Sequence, residues 1–360
     1  MQWNWQQTDW PNWRYDAQHL KALEQQFLVG AGRLLGAWDH LVQAERESFQ
    51  VEVVSVEALK TSEIEGEMLD RSSVQSSVRR AFGLTVDEQK VRPQESGIAE
   101  LMVACFRDFG RPLAHRTLQD RHALVCRGAA NVRVVGGYRT HEDPMQVVSG
   151  PLYRSRVHFE APPSASLTGR MSEFIEWFNV SKLPALTKAG LAHLYFVSVH
   201  SFEDGNGRLA RALSEKALAQ ALGQPSLIAL ARQIEKKRNG YYASLEANNK
   251  SMQVAPWLHW FAETALEAQQ YSQSLIEHVL AKTKLFDRLR GELNPRQAKA
   301  LQRVFAAGPE GLVGGLSASN YQAITKASSA TARRDLVDLV AKGALRRTGQ
   351  HKGTRYWLSV

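Results

Sequence analysis

A short stretch near the middle of the chain, His200–Arg211, combines residue types that can act on a phosphate group, in the order His-Ser-Phe-Glu-Asp-Gly-Asn-Gly-Arg-Leu-Ala-Arg. His200 ends a predicted helix, where its imidazole can take a proton from an attacking hydroxyl. Gly205, Asn206 and Gly207 lead into the next predicted helix. The backbone N–H groups at that helix start, aided by the helix dipole, form a site for an anion.

The charged residues of this stretch supply the other groups needed to transfer a phosphate-linked group from a nucleotide. Asp204 is a hard oxygen ligand at the edge of the anion site, where a Mg²⁺ ion bridging phosphates would lie. Arg208 and Arg211 are three residues apart, so they share a face of the first helical turn and can both reach phosphate oxygens. The stretch therefore predicts a base, a metal ligand, an anion site and two cationic groups together.

The same stretch resembles the signature of the Fic family, His-Pro-Phe-x-Asp/Glu-Gly-Asn-Gly-Arg-x-x-Arg. It departs at Ser201, where the family usually has Pro; because Ser can adopt the same backbone conformation, we expect altered loop rigidity rather than lost chemistry. The resemblance implies that His200 deprotonates a Ser, Thr or Tyr hydroxyl of a target protein, which attacks the α-phosphate of ATP and releases pyrophosphate. It also implies Mg²⁺ or Mn²⁺ at Asp204. The residues implied to hold the ATP phosphates are Gly205, Asn206, Gly207, Arg208 and Arg211.

The elements that position this stretch are predicted to be mainly α-helical. Apolar residues recur at three- and four-residue spacing through Leu20–Val42, Glu52–Met68, Ile98–Phe109, Leu118–Val125, Leu167–Phe178, Pro184–Val199, Leu209–Leu222, Leu227–Leu245 and Val254–Leu285. Within Asn131–Pro163, by contrast, glycines separate β-branched stretches, which predicts a β-hairpin.

The resemblance gives this hairpin a role. A Fic-type helical core carries a hairpin flap that aligns the backbone of the target beside the active site, and Gly137-Tyr138-Arg139 and Gln146-Val147-Val148 resemble the flap's usual sequence. A weaker likeness, to the region that contacts the nucleoside, is carried by Tyr241, Tyr242 and Asn248. Aromatic residues on a helix more often belong to the core.

A second signature lies upstream. Thr61-Ser-Glu-Ile-Glu65-Gly66 resembles the inhibitory signature of the family, Ser/Thr-x-x-x-Glu-Gly/Asn. A Glu-Gly pair alone is a common helix end. N-terminal to a Fic-like core, it implies that Glu65 pairs with Arg211, so that ATP binds in an unproductive pose until a change of oligomer, metal or target releases it. In some relatives this glutamate also supports removal of AMP by water, so the dominant direction stays open.

The net charge of +9 is concentrated at the C-terminus. Residues Leu293–Val360 contain 11 Lys and Arg against 3 Asp and Glu. This region resembles a winged helix-turn-helix, with helices predicted at Pro295–Phe305, Asn320–Thr325 and Ser328–Val340 and a wing at Leu345–Trp357. Its charge favours nucleic acid as partner, although winged helices also dock proteins.

The overall composition is that of an ordinary globular protein, with 44% hydrophobic and 22% charged residues. No apolar run predicts a transmembrane helix, and the Trp-rich N-terminus lacks the pattern of a secretory signal. We interpret its aromatic residues as anchors to the core. The two cysteines, Cys105 and Cys126, exclude a disulfide framework. We therefore expect a cytoplasmic protein with no membrane partner.

Three regions are predicted: an N-terminal helical region at 1–92 with the inhibitory helix at about 52–68, a Fic catalytic core at 93–290 with the flap at about 131–163, and a winged helix-turn-helix domain at 293–360. The preferred function is an autoinhibited protein adenylyltransferase acting on a target protein or on itself. The alternative is a DNA-binding transcriptional regulator with a nucleotide-sensing Fic domain. A third hypothesis is transfer of another phosphate-containing group. A homodimer is expected from the resemblance alone, and neither the target protein nor a DNA sequence can be predicted.

Overall fold

The structure is a computed structural model that describes residues 2–86, 91–150 and 155–359. The chain is mainly helical, as predicted, and divides into two compact units. Unit 1 comprises Met1–Gly36 and Gln50–Ser272, and unit 2 comprises Ala37–Phe49 and Gln273–Val360. The predicted N-terminal region and hairpin run through 87–90 and 151–154, which lie outside the described residues.

The helices largely follow the predicted order. They are α1 (Gln18–Asp39), α2 (Gln43–Ile64), α3 (Arg71–Ala81), α4 (Pro93–Arg107), α5 (His115–Val125), α6 (Leu167–Val180), α7 (Ala185–Val199), α8 (Asn206–Leu222), α9 (Leu230–Lys236), α10 (Arg238–Asn248), α11 (Ala255–Arg288), α12 (Pro295–Phe305), α13 (Ala318–Thr325) and α14 (Ser329–Ala341). Among the described residues, none of these helices has both the length and the apolarity that crossing a bilayer requires.

Two helical predictions need correction. The single helix predicted at Leu227–Leu245 is divided into α9 and α10, because Lys237 leaves the helical conformation with φ −108° and ψ 25°. Helix α3 was not predicted. It begins after Asp70, whose carboxylate caps it by accepting a hydrogen bond from the Ser73 N–H at 2.8 Å. Apolar periodicity does not predict α3, because its sequence is rich in serine and its buried apolar face consists only of Val74 and Val78.

Helix α7 forms the centre of unit 1. All of its residues except Val197 are buried, so it is enclosed by other elements on every side rather than amphipathic. Gly190 permits a close approach, because a Cβ there would lie 2.9 Å from Leu258 Cδ2. The Trp257 indole N–H, fully buried, donates to the Gly190 carbonyl at 2.8 Å. The C-terminus of α7 is thereby a rigid base for the residues that follow it.

Strands β1 (Gln146–Ser149) and β2 (Arg156–Glu160) form an antiparallel hairpin in the predicted segment. A bulge between Val147 and Val148 breaks the register, and both valines are exposed. Among the described residues of the predicted segment 131–163, only β1 and β2 form paired strands.

The N-terminal aromatic residues anchor the chain to unit 1, as interpreted. The Trp5 indole N–H donates to the Glu160 carbonyl at 2.7 Å, and the Trp3 ring packs edge-on against Phe159. Trp10 packs edge-on against Tyr195 of α7. The first residues of the chain therefore contact both strand β2 and the central helix.

Unit 2 contains α12, α13 and α14 followed by an antiparallel hairpin of β3 (Leu345–Thr348) and β4 (Arg355–Leu358). Asn294 caps α12, and Pro295 occupies its first turn. The buried core of this unit includes Leu301, Leu336 and Tyr321. These elements lie where the sequence predicted three helices and a wing; that they form a winged helix-turn-helix domain stays a prediction.

Candidate active site

The motif segment, His200–Arg211, joins α7 to α8 through a sharply turned loop. His200 follows the last residue of α7 in the left-handed conformation, with φ 49° and ψ 57°. A non-glycine residue in this conformation is strained and often lies at a functional site. Gly205 precedes α8 with φ 77°, and a Cβ there would lie 2.7 Å from Val125 Cγ1. Glycine is therefore required at this position both by conformation and by space.

The loop is fixed by its own side chains. Asn206 bridges it, because its Nδ2 donates to the Phe202 carbonyl at 2.8 Å while its Oδ1 accepts from the Phe202 N–H at 3.1 Å. The Phe202 ring stacks on His122 with ring centroids 4.1 Å apart. The first turn of α8 is left open, since its N–H groups precede the helical hydrogen-bond pattern. The start of α8 is thus a preformed donor site for an anion.

The His200 side chain is suited to accept a proton. Burial lowers the pKa of its imidazole to about 4; the Arg139 guanidinium lowers it further, while a hydrogen bond to the Val197 carbonyl and the charges of Asp204 and Glu65 oppose the shift. At neutral pH the ring is therefore uncharged. With one ring nitrogen donating to a carbonyl, the other is left as an acceptor.

Arg211 is held by the end of α2. Its side chain is 1% exposed, its Nε donates to Thr61 Oγ1 at 2.7 Å and its Nη2 donates to the Thr61 carbonyl at 2.9 Å. The same Nη2 donates to Glu65 Oε1 at 2.7 Å. Gly66 follows with φ 86° and ends the helix in the left-handed conformation, which favours glycine. Thr61 and Glu65 therefore lie together at Arg211, and Gly66 ends the segment that carries them.

Arg208 is held by a different carboxylate. Its Nη1 donates to both oxygens of Glu67, at 3.0 and 2.9 Å, and its Nη2 lies 3.3 Å from Asp204 Oδ2. The Arg208 side chain is 5% exposed, whereas that of Glu67 is 40% exposed. Both arginines of the motif segment are thus paired with glutamates that lie just after the C-terminal end of α2.

The carboxylate of Glu65 occupies the space beside the first turn of α8, against Gly207. A Cβ on Gly207 would lie 2.5 Å from Glu65 Oε1 and 3.3 Å from Arg211 Nη1. Two guanidinium atoms here, Arg211 Nη1 and Arg208 Nε, are buried and have no hydrogen-bond partner among the described residues. Buried donors of this kind are normally satisfied. The site therefore has spare capacity for an anion larger than one carboxylate.

Asp204 is placed to act as the single protein ligand of a cation whose other ligands come from a substrate. Its side chain is 57% exposed at the mouth of the anion site, and its Oδ1 accepts from the Gly205 N–H at 2.6 Å. The described residues contain no group of three or more His, Cys, Asp or Glu that could hold a metal without help. Mg²⁺ commonly binds through one carboxylate together with substrate phosphates, and this donor set suits that mode.

The three residues predicted near the nucleoside are not brought together at the surface. Tyr241 is buried, and its hydroxyl lies 2.9 Å from His193 Nε2. Asn248 is also buried and donates to the Ser244 carbonyl. Only Tyr242 is exposed, by 42%, and its hydroxyl donates to the Ile64 carbonyl at the end of α2. Their role in nucleoside binding stays a prediction.

Two residues that contact the site were not predicted to do so. Glu67 follows Glu65 by two positions, and its proximity to that helix end was the only signal available in the sequence. Arg139 was noted as part of the flap sequence, but its Nε donates to the His200 carbonyl at 3.0 Å. Neither contact could be read from spacing, because 141 and 61 residues separate the partners.

Comparison with known proteins finds two sequence families, one in the segment that contains Glu65 and one in the segment that contains the motif. Residues 112–218 match the Fic/DOC family, and residues 3–84 match a domain of unknown function, DUF4172. Proteins named protein adenylyltransferase Fic are similar over part of the chain. That of Drosophila yakuba is 34% identical over 137 residues, covering 36% of this chain and 25% of the relative; that of Culex quinquefasciatus is 31% identical over 156 residues, covering 41% and 29%. The chain thus spans about a quarter of the length of these relatives.

Solved structures show the same fold. A Fic family protein from Desulfovibrio desulfuricans aligns with a TM-score of 0.54 at 17% identity, covering 97% of this chain and 98% of that one. A Fic domain containing signaling protein from Bacteroides thetaiotaomicron aligns with a TM-score of 0.52 at 17% identity, covering 69% and 97%. The matched segment contains the motif segment, so the chain carries a Fic/DOC domain at residues 112–218, and these solved structures share its fold.

Proposed function

We propose that this protein is an autoinhibited protein adenylyltransferase, which transfers AMP from ATP to a Ser, Thr or Tyr hydroxyl of a target protein or of itself. One observation supports it above the others: a buried anion site at the start of α8, beside an uncharged His200, is filled by the chain's own Glu65. A helix start whose N–H groups are free, next to a guanidinium that already binds a carboxylate, can also bind a phosphate. The relatives' printed name, protein adenylyltransferase, supports the reaction type.

The chemistry follows from the side chains present. The oxygen of the target hydroxyl attacks the α-phosphorus of ATP, the hydroxyl proton passes to the acceptor nitrogen of His200, and the bond from the α-phosphorus to the bridging oxygen breaks to release pyrophosphate. The N–H groups at the start of α8, with Arg208 and Arg211, bind the phosphate oxygens. Asp204 would hold Mg²⁺ or Mn²⁺ together with those phosphates, and this cation would neutralise charge on the leaving pyrophosphate.

The inhibition is proposed to be direct occupation of the site. Glu65 pairs with Arg211 at 2.7 Å and lies against Gly207, so the phosphates of ATP cannot take this space while α2 stays in place. Release requires the end of α2 to leave Arg211. Any event that binds the open state better, such as target or metal binding, shifts the population towards it.

The decisive experiment measures incorporation of label from ATP into protein in the wild type, Glu65→Gly, and Glu65→Gly with His200→Ala. We expect strong labelling from α-labelled ATP only in Glu65→Gly, because only that variant has both a free Arg211 and a base. Glu65→Gln is the matched variant that keeps the side-chain volume but loses the charge, and it should label at an intermediate level. γ-labelled ATP separates the reactions, since AMP transfer leaves its label on pyrophosphate.

Two outcomes would contradict the proposal. If none of the variants is labelled although each is folded and binds ATP, the transferase function is wrong. If γ-labelled rather than α-labelled ATP marks the protein, the reaction is phosphate transfer, which is the third hypothesis.

A second candidate function, DNA binding by unit 2, is favoured by how its charges are arranged. Two of the acids in its C-terminal segment are already paired: buried Asp335 accepts from Arg296 Nε and from the Tyr321 hydroxyl, each at 2.9 Å, and Asp338 accepts from Lys342 Nζ at 2.6 Å. The exposed arginines have no carboxylate partner among the described residues; these are Arg333, Arg334, Arg346 and Arg347. Unpaired exposed arginines on one small unit favour a polyanion.

The arginines of α14 and the hairpin share a cleft. Arg333, Val337 and Arg347 line a cleft of about 540 Å³ in unit 2, together with His351. We propose that this cleft contacts the phosphate backbone of duplex DNA, whether or not unit 1 transfers AMP. Fluorescence anisotropy with a labelled duplex at low and moderate salt tests it directly. Absence of binding at low salt would instead favour protein docking as the role of this unit.

A further inference from the structure

Arg139 is a buried cation without an acidic partner. Its residue is 2% exposed, and its guanidinium donates to two backbone carbonyls, from Nε to His200 at 3.0 Å and from Nη2 to Pro162. No carboxylate of the described residues lies within salt-bridge distance of it. Burial lowers the pKa of this guanidinium to about 10. A buried charge without a counter-ion is costly, so its presence here requires a compensating role.

The contacts of Arg139 hold two consecutive peptide groups of the motif segment. Its backbone N–H donates to the Ser201 carbonyl at 3.0 Å, while its side chain donates to the His200 carbonyl. One residue therefore binds two consecutive carbonyls. The first carbonyl belongs to His200, which has the left-handed conformation, and the second to Ser201, which stands where the family usually has Pro. A left-handed non-glycine residue costs on the order of 1–3 kcal/mol and persists only where its surroundings fix it.

The third contact ties the same residue to the hairpin. Pro162, whose carbonyl accepts from Arg139 Nη2, lies two residues beyond β2. The segment that ends the hairpin and the loop that carries His200 are therefore held by one guanidinium. Lysine could not replace it, because a single ammonium lacks the planar fork that reaches two separate carbonyls.

We propose that Arg139 is the positioning residue for His200: its hydrogen bonds to the His200 and Ser201 carbonyls fix the base in its left-handed conformation. The positive charge of Arg139 has a second and separate effect, on the His200 ring. After burial, the charge of Arg139 is the next largest influence that lowers the pKa of His200, and the groups that oppose it are Asp204 and Glu65 with the Val197 carbonyl. This inference rests on the proposed transferase function, in which His200 is the base.

The test compares Arg139→Gln and Arg139→Lys in the Glu65→Gly background. We expect Arg139→Gln to lower kcat for AMP transfer on the order of 100-fold, because a misplaced base loses the alignment of the reacting atoms. KM for ATP should change less than about threefold, because the phosphate-binding groups are untouched. The acid limb of the pH–rate profile should move towards neutral pH, since the positive charge that disfavours protonation of His200 is gone. Arg139→Lys should lose kcat but keep the acid limb.

The matched control is Arg121→Gln. Arg121 is also buried, at 4% exposed, and no described hydrogen bond joins it to the motif segment. It should leave kcat per folded molecule and the acid limb unchanged, with urea unfolding used to correct for the folded fraction. Equal losses in Arg121→Gln and Arg139→Gln, or an unmoved acid limb in Arg139→Gln, would overturn the inference.

A second readout does not depend on transfer. Titration of the His200 ring by NMR should show protonation at a higher pH in Arg139→Gln than in Arg139→Lys. If Glu65→Gly itself fails to label protein, the transferase proposal fails. The NMR titration then still decides whether Arg139 controls the charge of His200.

Discussion

Two sets of arginines in this chain lie in opposite environments. In unit 1, Arg211 and Arg208 are 1% and 5% exposed and each is bound by a glutamate near the end of α2. In unit 2, Arg333 and Arg347 are exposed, and no carboxylate among the described residues pairs with them. The buried acid of this unit, Asp335, is instead paired with Arg296.

The difference teaches how the same side chain can serve two purposes. Leaving a buried guanidinium without a carboxylate is costly, so a removable carboxylate makes Arg211 a site with two states. An exposed guanidinium is solvated, costs little, and contributes to a long-range positive field. We therefore expect substitutions in the first set to change stability and regulation, and substitutions in the second set to change only association with polyanions.

The largest effect should separate the two sets by stability. Arg211→Met leaves Glu65 and the Thr61 oxygens without their donor in a buried place, and should lower the free energy of unfolding by about 3 kcal/mol. Arg333→Met should change it by no more than about 0.5 kcal/mol. Urea unfolding monitored by tryptophan fluorescence compares them. Similar values for the two variants would remove the distinction between the sets.

The next effect concerns the salt dependence of DNA binding. Replacing both Arg333 and Arg347 by Ala should lower the slope of log K against log salt by about 2, because each phosphate contact contributes about 0.9. Glu65→Gly, which alters only the buried set, should leave this slope unchanged. Anisotropy titrations of a labelled duplex at several salt concentrations measure it. A slope that is the same in the double variant would show that these arginines do not contact phosphate.

The second glutamate of the buried set should have a smaller, additive effect. In the Glu65→Gly background, Glu67→Gln frees Arg208 for phosphate and should raise AMP labelling about fivefold, since a part-exposed ion pair is worth roughly 1 kcal/mol. Glu63→Gln, four residues earlier in the last turn of α2 and paired with Lys60, is the matched control and should have no effect. If both variants behave alike, the Glu67 contact is only a surface ion pair.

The smallest effect tests whether α10 helps to hold α2 in place. The Tyr242 hydroxyl donates to the Ile64 carbonyl at 3.2 Å, one residue before Glu65. Tyr242→Phe removes this bond, worth about 1 kcal/mol, and should raise basal labelling of the otherwise unaltered protein roughly twofold to fivefold. Labelling equal to that of the wild type would mean that the ring, rather than the hydroxyl, makes the contact that matters.

The local geometry of the motif segment could be predicted from its residues. Gly205 has a positive φ and no room for a Cβ, and α8 begins at Asn206. A Gly-Asn-Gly sequence before an apolar helix predicts such a turn, because glycine adopts a positive φ without strain. The pairing of Glu65 with Arg211 was likewise expected, although only through the resemblance. Each of these inferences depended on neighbours in the sequence or on a shared signature.

What could not be predicted depends on contacts between distant residues. Nothing in the spacing of Arg139 or Glu67 indicates a partner at His200 or Arg208. The burial of Tyr241 depends on packing around α7 that a pattern of aromatic residues does not reveal. The break at Lys237 is also tertiary in origin, since the apolar periodicity continues across it.

The carboxylate that fills the start of α8 is attached to the same chain, and this has a consequence for how the protein responds to dilution. A tethered group acts at an effective concentration of about millimolar even when the connection is flexible, and α2 is a helix rather than a flexible linker. The fraction of molecules with Glu65 on Arg211 is therefore the same at nanomolar as at micromolar protein. An affinity for ATP that varies with protein concentration would consequently identify a second copy of the chain acting on α2.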